Sequence, residues 1–138
     1  MKCYVRLVVS SSFQSVAQIS ERLDIKWDRS WTVGDVRGKA SIIEVDNGLI
    51  LDSTEDKEKE VGVHVRSFIA RLKGKECKFE EFSNLSGCTV QIACSIYYDE
   101  EPPLLLDKDL ISWVGSIGGS IDIDIYHVER AVELGTES

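Results

Sequence analysis

The chain has 138 residues, 43% hydrophobic and 29% charged, which fits one globular domain with a substantial core. Its formal net charge of -8 argues against nucleic acid or an anionic membrane surface as partner, because both repel an acidic protein at long range. The same charge is compatible with a basic protein partner or with plain solubility.

At the N-terminus, Cys3, Val5, Leu7 and Val9 alternate with Lys2, Tyr4 and Arg6, the period of a half-buried strand. This short run carries no small-residue cleavage site, so it reads as a strand and not a signal peptide. No apolar stretch reaches the ~20 residues of a membrane span, and a cytoplasmic location is expected. Ser11 or Ser12 is positioned to cap a first helix, in which Val16, Ile19 and Leu23 form the buried stripe and which ends near Asp24. Residues 24–39 hold two tryptophans, two glycines and mixed charge without a period. They read as a long ordered loop, a kind of segment that often carries function.

Residues 40–53 read as a hairpin turning at Asn47-Gly48, the preferred dipeptide of a two-residue turn with positive φ at both positions. Ser53 or Thr54 then caps a second helix with the apolar face Val61, Val65, Phe68, Ile69 and Leu72. The charge run 55–60 forms its first turns and Gly74 stops it. A short helical connection over residues 75–85 points Phe79, Phe82 and Leu85 inward. A strand over residues 89–98 buries Val90, Ile92, Cys94 and Ile96 and turns Gln91, Ser95 and Tyr97 the other way. Asp99, Glu100, Glu101 and two prolines make an acidic loop that cannot continue a strand. Asp107 caps a last helix with Leu110, Ile111, Val114 and Ile117 at helical spacing, and Gly118-Gly119 ends it. The strand SIDIDIY follows, with Ile121, Ile123 and Ile125 on the core face and Asp122, Asp124 and Tyr126 on the other. A polar tail begins at about residue 129.

This order, β-α-loop-β-β-α-α-β-α-β, predicts a single α+β domain over residues 1–138. The expected form is a two-layer sandwich, ferredoxin-like or split β-α-β, with helices on one face of the sheet and the other face open. The strand–helix start, the Gly34-Asp35 pair, the helix VRSFIARL and above all SIGGSIDIDIY together resemble the small bacterial proteins of domain-of-unknown-function family 4279, with Ile121 where the family pattern has leucine. The resemblance covers nearly the whole chain. It implies the fold and a bacterial origin, and no activity.

The candidate site is the open sheet face, where Asp122 and Asp124, two residues apart, project together beside Tyr97 and Tyr126. Such carboxylates either recognise Arg or Lys of a partner, or a cation, or belong to a solvated sheet face on which they pair with Arg6 or Lys2. Asp99, Glu100 and Glu101 add acidic surface. Trp27 and Trp31, in the same loop as Asp35, are either interface anchors or plugs of the core. Cys3, Cys77, Cys88 and Cys94 show no CxxC spacing, and with only His64 and His127 to join them neither a metal site, a cofactor nor a disulfide is expected. No nucleophile–base or phosphate-loop spacing occurs. The expectation is therefore a non-catalytic binding protein, an immunity protein that neutralises a toxin domain. The alternative is a small-molecule or ion-binding regulatory domain using the open sheet face.

Overall fold

The computed structural model describes residues 1–39 and 41–129. Its elements are β1 (Lys2–Ser11), α1 (Val16–Leu23), β2 (Arg29–Trp31), β3 (Val36–Arg37), β4 (Ile42–Ile43), β5 (Asn47–Asp52), α2 (Val61–Arg71), α3 (Glu76–Ser83), β6 (Cys88–Tyr98), α4 (Lys108–Ser116) and β7 (Ser120–His127). The fold is α+β. Five strands form one sheet in the order β2-β5-β1-β6-β7, and β3 and β4 form a separate two-stranded sheet. All pairings in the large sheet are antiparallel except β6 with β7, which run parallel. Parallel neighbours need a crossover, and α4 supplies it. Because β6 and β7 are adjacent, the β-α-β unit is not split. Because β1 lies between β5 and β6 and runs antiparallel to both, the order also differs from the ferredoxin-like expectation.

Side chains from all four helices join one hydrophobic cluster with Cys3, Val5, Leu7 and Val9 of β1 and Val90, Ile92, Cys94 and Ile96 of β6. Phe68, Phe79 and Phe82 are fully buried in it. The alternation in β1 and β6 is thus the tertiary boundary: one face of the sheet is core and the other is left for solvent or ligand.

Local chemistry sets the helix ends. Ser15, not Ser11 or Ser12, caps α1, accepting from the Gln18 amide while the Gln18 side chain accepts from the Ser15 amide. Ser11 is instead fully buried. Its hydroxyl accepts from the Phe13 and Gln14 amides and from the Cys88 thiol. Asp107 caps α4 through the Leu110 amide at 3.0 Å and pairs with Arg66 of α2. Gly118 then takes φ +67° at the end of that helix, pressed against Ser83 of α3. The expected stripe of α4 shifts by a fraction of a turn: Trp113 is 8% exposed and Ile111 55%. Neighbouring α2 and α3 both touch α4, and burying the larger indole against them wins.

Several expectations fail where tertiary contacts override local preference. Asn47-Gly48 is not a turn. It opens β5, neither residue has positive φ, and the Asn47 side chain is occupied on both sides, donating to the Gln14 carbonyl and accepting from the Val33 amide. Positive φ occurs earlier, at Gly38 after β3 and at Ser41 before β4. Residues 55–60 do not begin α2, which starts at Val61 with Glu60 as a cap whose side chain makes no capping bond. The loop of residues 24–39 contains two short strands, too short to show a period. Ile125 is 48% exposed, because β7 is the last strand of the sheet among the described residues and has a neighbour on one side only. The tail from residue 130 lies outside the described residues.

Candidate functional site

The open face of the sheet is organised by cross-strand register. Arg29 pairs with Ile50, Ile50 with Val8, Val8 with Gln91 and Gln91 with Ser120, forming one row across five strands. The next row holds Asp52, Arg6, Ala93 and Asp122. The row after that holds Tyr4, Ser95 and Asp124. A further row pairs Lys2, Tyr97 and Tyr126. Each follows from strict alternation, since a one-residue slip would send these side chains into the core.

Side chains from the first three rows line a half-open cleft of about 690 Å³. Val8, Ile50 and Ala93 form its apolar floor. Arg29, Ser30 and Trp31 of β2 make one wall, and Asp35, Val36, Arg37 and Glu44 of the small β3–β4 sheet bound it further. Asp122 and Asp124 line it from β7, and Arg6 stands in the floor between. Trp31 is held twice. Its indole N–H donates to Asp46 Oδ1 at 3.0 Å, and its ring lies over Gly48, where a Cβ would approach it to 2.1 Å. Glycine at 48 is therefore required by the tryptophan, not by a turn.

The charges in the cleft divide into two groups. Arg29 is bound by both oxygens of Asp52, at 3.0 and 2.6 Å, and Arg37 pairs with Glu44 at 3.2 Å. Asp35 accepts from the Thr32 amide at 2.7 Å and shapes the turn before β3. Arg6, Asp122 and Asp124, by contrast, have no ion-pair or hydrogen-bond partner among the described residues. The simplest structural role for the two aspartates, pairing with Arg6 or Lys2, is not taken: Lys2 pairs with Glu58 at 3.1 Å. Cys94, next to Ala93 on β6, belongs to the core on the other face of the sheet. Burial pushes its thiol up to about 12, with Cys3 and Asp122 adding to the rise and Arg6 opposing it.

Beside the cleft, three exposed tyrosines form a ladder. Tyr97 stacks on Tyr126 at 4.9 Å and meets Tyr4 edge-on at 5.8 Å, while the Lys57 ammonium sits 4.9 Å above the Tyr4 ring. A smaller recess of about 300 Å³ adjoins the cleft through Arg6 and Arg29 and contains Ser53 and His64. His64 is 1% exposed. The Lys59 carbonyl, 3.2 Å away, can only accept, so Nε2 carries the proton and Nδ1 accepts from the Ser53 hydroxyl at 2.6 Å. Burial lowers the His64 pKa, opposed by the Lys59 carbonyl and by Glu55 and Asp56.

The site residues expected from the sequence are thus separated. Trp31, Asp35, Asp122 and Asp124 share the cleft, and Tyr97 and Tyr126 form the neighbouring ladder. Trp27 does not join them. It packs on the core, 6.2 Å from Phe79 at 57°, with its indole N–H buried and unbonded among the described residues. Asp99, Glu100 and Glu101 are exposed in the loop after β6 and do not line the cleft. Arg29, Arg37 and Glu44 carry no periodic signal in the sequence: Arg29 and Arg37 fall in strands of three and two residues, and Glu44 directly follows the two-residue β4. The only signal for Arg29 is its spacing of two from Trp31. Among the described residues no group of three His, Cys, Asp or Glu side chains is placed to hold a metal ion, and all four cysteines are free thiols. No described helix is long and apolar enough to cross a membrane.

No curated protein and no solved structure matches the chain. Over residues 1–128, however, it matches the family described as a domain of unknown function, DUF4279, and the chain belongs to that family.

Proposed function

We propose that this chain is a non-catalytic binding protein that recognises a basic protein partner through the open face of its sheet. The function that fits is a cytoplasmic bacterial immunity protein masking the cationic surface of a toxin domain. The observation that carries the reading is the pairing state of that face: Asp122 and Asp124 are unpaired among the described residues and lie next to exposed Tyr97 and Tyr126. Unpaired carboxylates beside tyrosines suit recognition of Arg and Lys, through charge-assisted hydrogen bonds and ring faces. The net charge of -8 adds long-range attraction to a basic surface. A toxin acting on nucleic acid needs such a surface to hold phosphates, so covering it blocks substrate.

The test is binding to the toxin domain encoded beside this chain's gene. Co-expression should protect cells, and association should slow as salt screens the charges. Asp122→Lys with Asp124→Lys should slow association further while the protein still folds. A neighbouring basic toxin domain that this chain neither binds nor neutralises would sink the reading. A second reading, a small-ligand domain, is favoured by the cleft itself, whose volume of about 690 Å³ lies within the usual range of small-molecule sites.

A further inference from the structure

Arg6 is the one guanidinium of the cleft that the fold leaves unpaired among the described residues, since Arg29 is bound to Asp52 and Arg37 to Glu44. It is half-buried in the floor of a concave site. Desolvating a charge without a partner is costly, and a fold that offers other carboxylates nearby has not used them here. On the same row, across Ala93, stands Asp122, with Asp124 two residues on. Arg6 and Asp122 are two strand spacings apart, about 9.6 Å between backbones. Only the methyl group of Ala93 lies between them, so a gap is left with a cation on one side and carboxylates on the other. The floor alongside is apolar, formed by Val8 and Ile50, and Trp31 stands at its margin.

We propose that this cleft binds a small zwitterion, a free amino acid or short peptide with both ends ionised. The ligand carboxylate is received by Arg6 in a charge-assisted, two-pronged hydrogen bond. Its ammonium group donates to Asp122 and Asp124. Its side chain lies over Val8 and Ile50 toward Trp31. A plain anion would face the two aspartates and a plain cation would face Arg6, so the site discriminates against both by repulsion as well as by lost contacts. The opposed, unpaired charges point to one ligand carrying both signs. This binding uses Asp122 and Asp124, the same carboxylates as the proposed protein-binding face, so a zwitterion in the cleft and a basic partner compete for them.

The experiment is calorimetric titration of the full chain with three probes: glycyl-leucine, its N-acetyl derivative and its C-terminal amide. The free dipeptide should bind at least about tenfold more tightly than either blocked form. Arg6→Gln should bring affinity for the free dipeptide down to that of the amide. Asp122→Asn with Asp124→Asn should bring it down to that of the acetylated form. Both variants remove groups with no partner among the described residues, so their melting curves should overlay that of the wild type. Absence of heat with glycyl-leucine at millimolar concentration overturns the proposal. Equal binding of the free and blocked forms also overturns it, as does full affinity in either variant. Because the titration contains no protein partner, a negative result leaves the toxin-binding reading untouched.

Discussion

Replacing Gly48 by alanine should reveal the contact on which the cleft wall rests. An added Cβ would lie 2.1 Å from two ring carbons of Trp31, whereas carbon atoms in contact sit at about 3.5–4.0 Å. The ring must therefore swing away. Overpacking of this kind costs about 1–3 kcal/mol, and loss of the bond from Trp31 to Asp46 adds about 1 kcal/mol. Gly48→Ala in the wild type should thus destabilise by about 2–4 kcal/mol. In a Trp31→Ala background the obstacle is gone. There, alanine in a strand interior is favoured over glycine by about 0.5–1 kcal/mol, so the same substitution should become neutral or stabilising. Urea unfolding of the four proteins, followed by circular dichroism with a common slope, measures the coupling. A sign change between backgrounds is the expected result. An equal loss in both would mean that Gly48 is needed for its backbone alone, and that Trp31 does not form the wall as described.

Three further outcomes can be measured. Asp122→Asn and Asp124→Asn should each change unfolding free energy by no more than about 0.5 kcal/mol, the range of surface sites without a structural partner; a larger loss would reveal a structural partner. His64 is held neutral by burial, so below about pH 6.5 the unfolded chain takes up protons that the folded chain resists, and stability should fall as pH drops through that value. His64→Gln should flatten that part of the stability–pH curve, and an unchanged slope would mean the histidine is not responsible. Gly118→Ala would require φ +67° of an alanine and place its Cβ 1.9 Å from Ser83 Oγ, so thermal melting should show a loss of about 1–3 kcal/mol, whereas wild-type stability would place the end of α4 away from α3.

The unpaired charges also separate architecture from function. Ion pairs such as Arg29 with Asp52 and Lys2 with Glu58 are exposed on both sides, where solvent screens them, and contribute little to stability. Stability comes instead from the single cluster beneath the sheet, around Phe68, Phe79 and Phe82. The open face is therefore free to carry chemistry that contributes little to folding, and substitutions there should report on binding with little effect on the fold.

How much of this was legible in the chain follows from the range of each interaction. The alternation of Cys3, Val5, Leu7 and Val9, of Val90 to Ile96 and of SIDIDIY determined the two faces of the sheet, since side-chain direction repeats every second residue whatever the tertiary context. The cap at Asp107 and the stop at Gly118 were equally local. Asn47-Gly48 was not. A strong turn dipeptide became the start of a strand because Gln14, Val33 and Trp31, all distant in sequence, claim its hydrogen bonds and its empty Cβ position. The separation of Trp27 into the core and Trp31 into the cleft was likewise decided by pairing of three residues of β2 with β5, too short a segment for any period to reveal. Arg6 and Asp122 were each placed on the open face by phase alone. That they face one another across Ala93, unpaired among the described residues, depends on β1 and β7 both pairing with β6, and strand order is a property of the assembled sheet that no local pattern encodes.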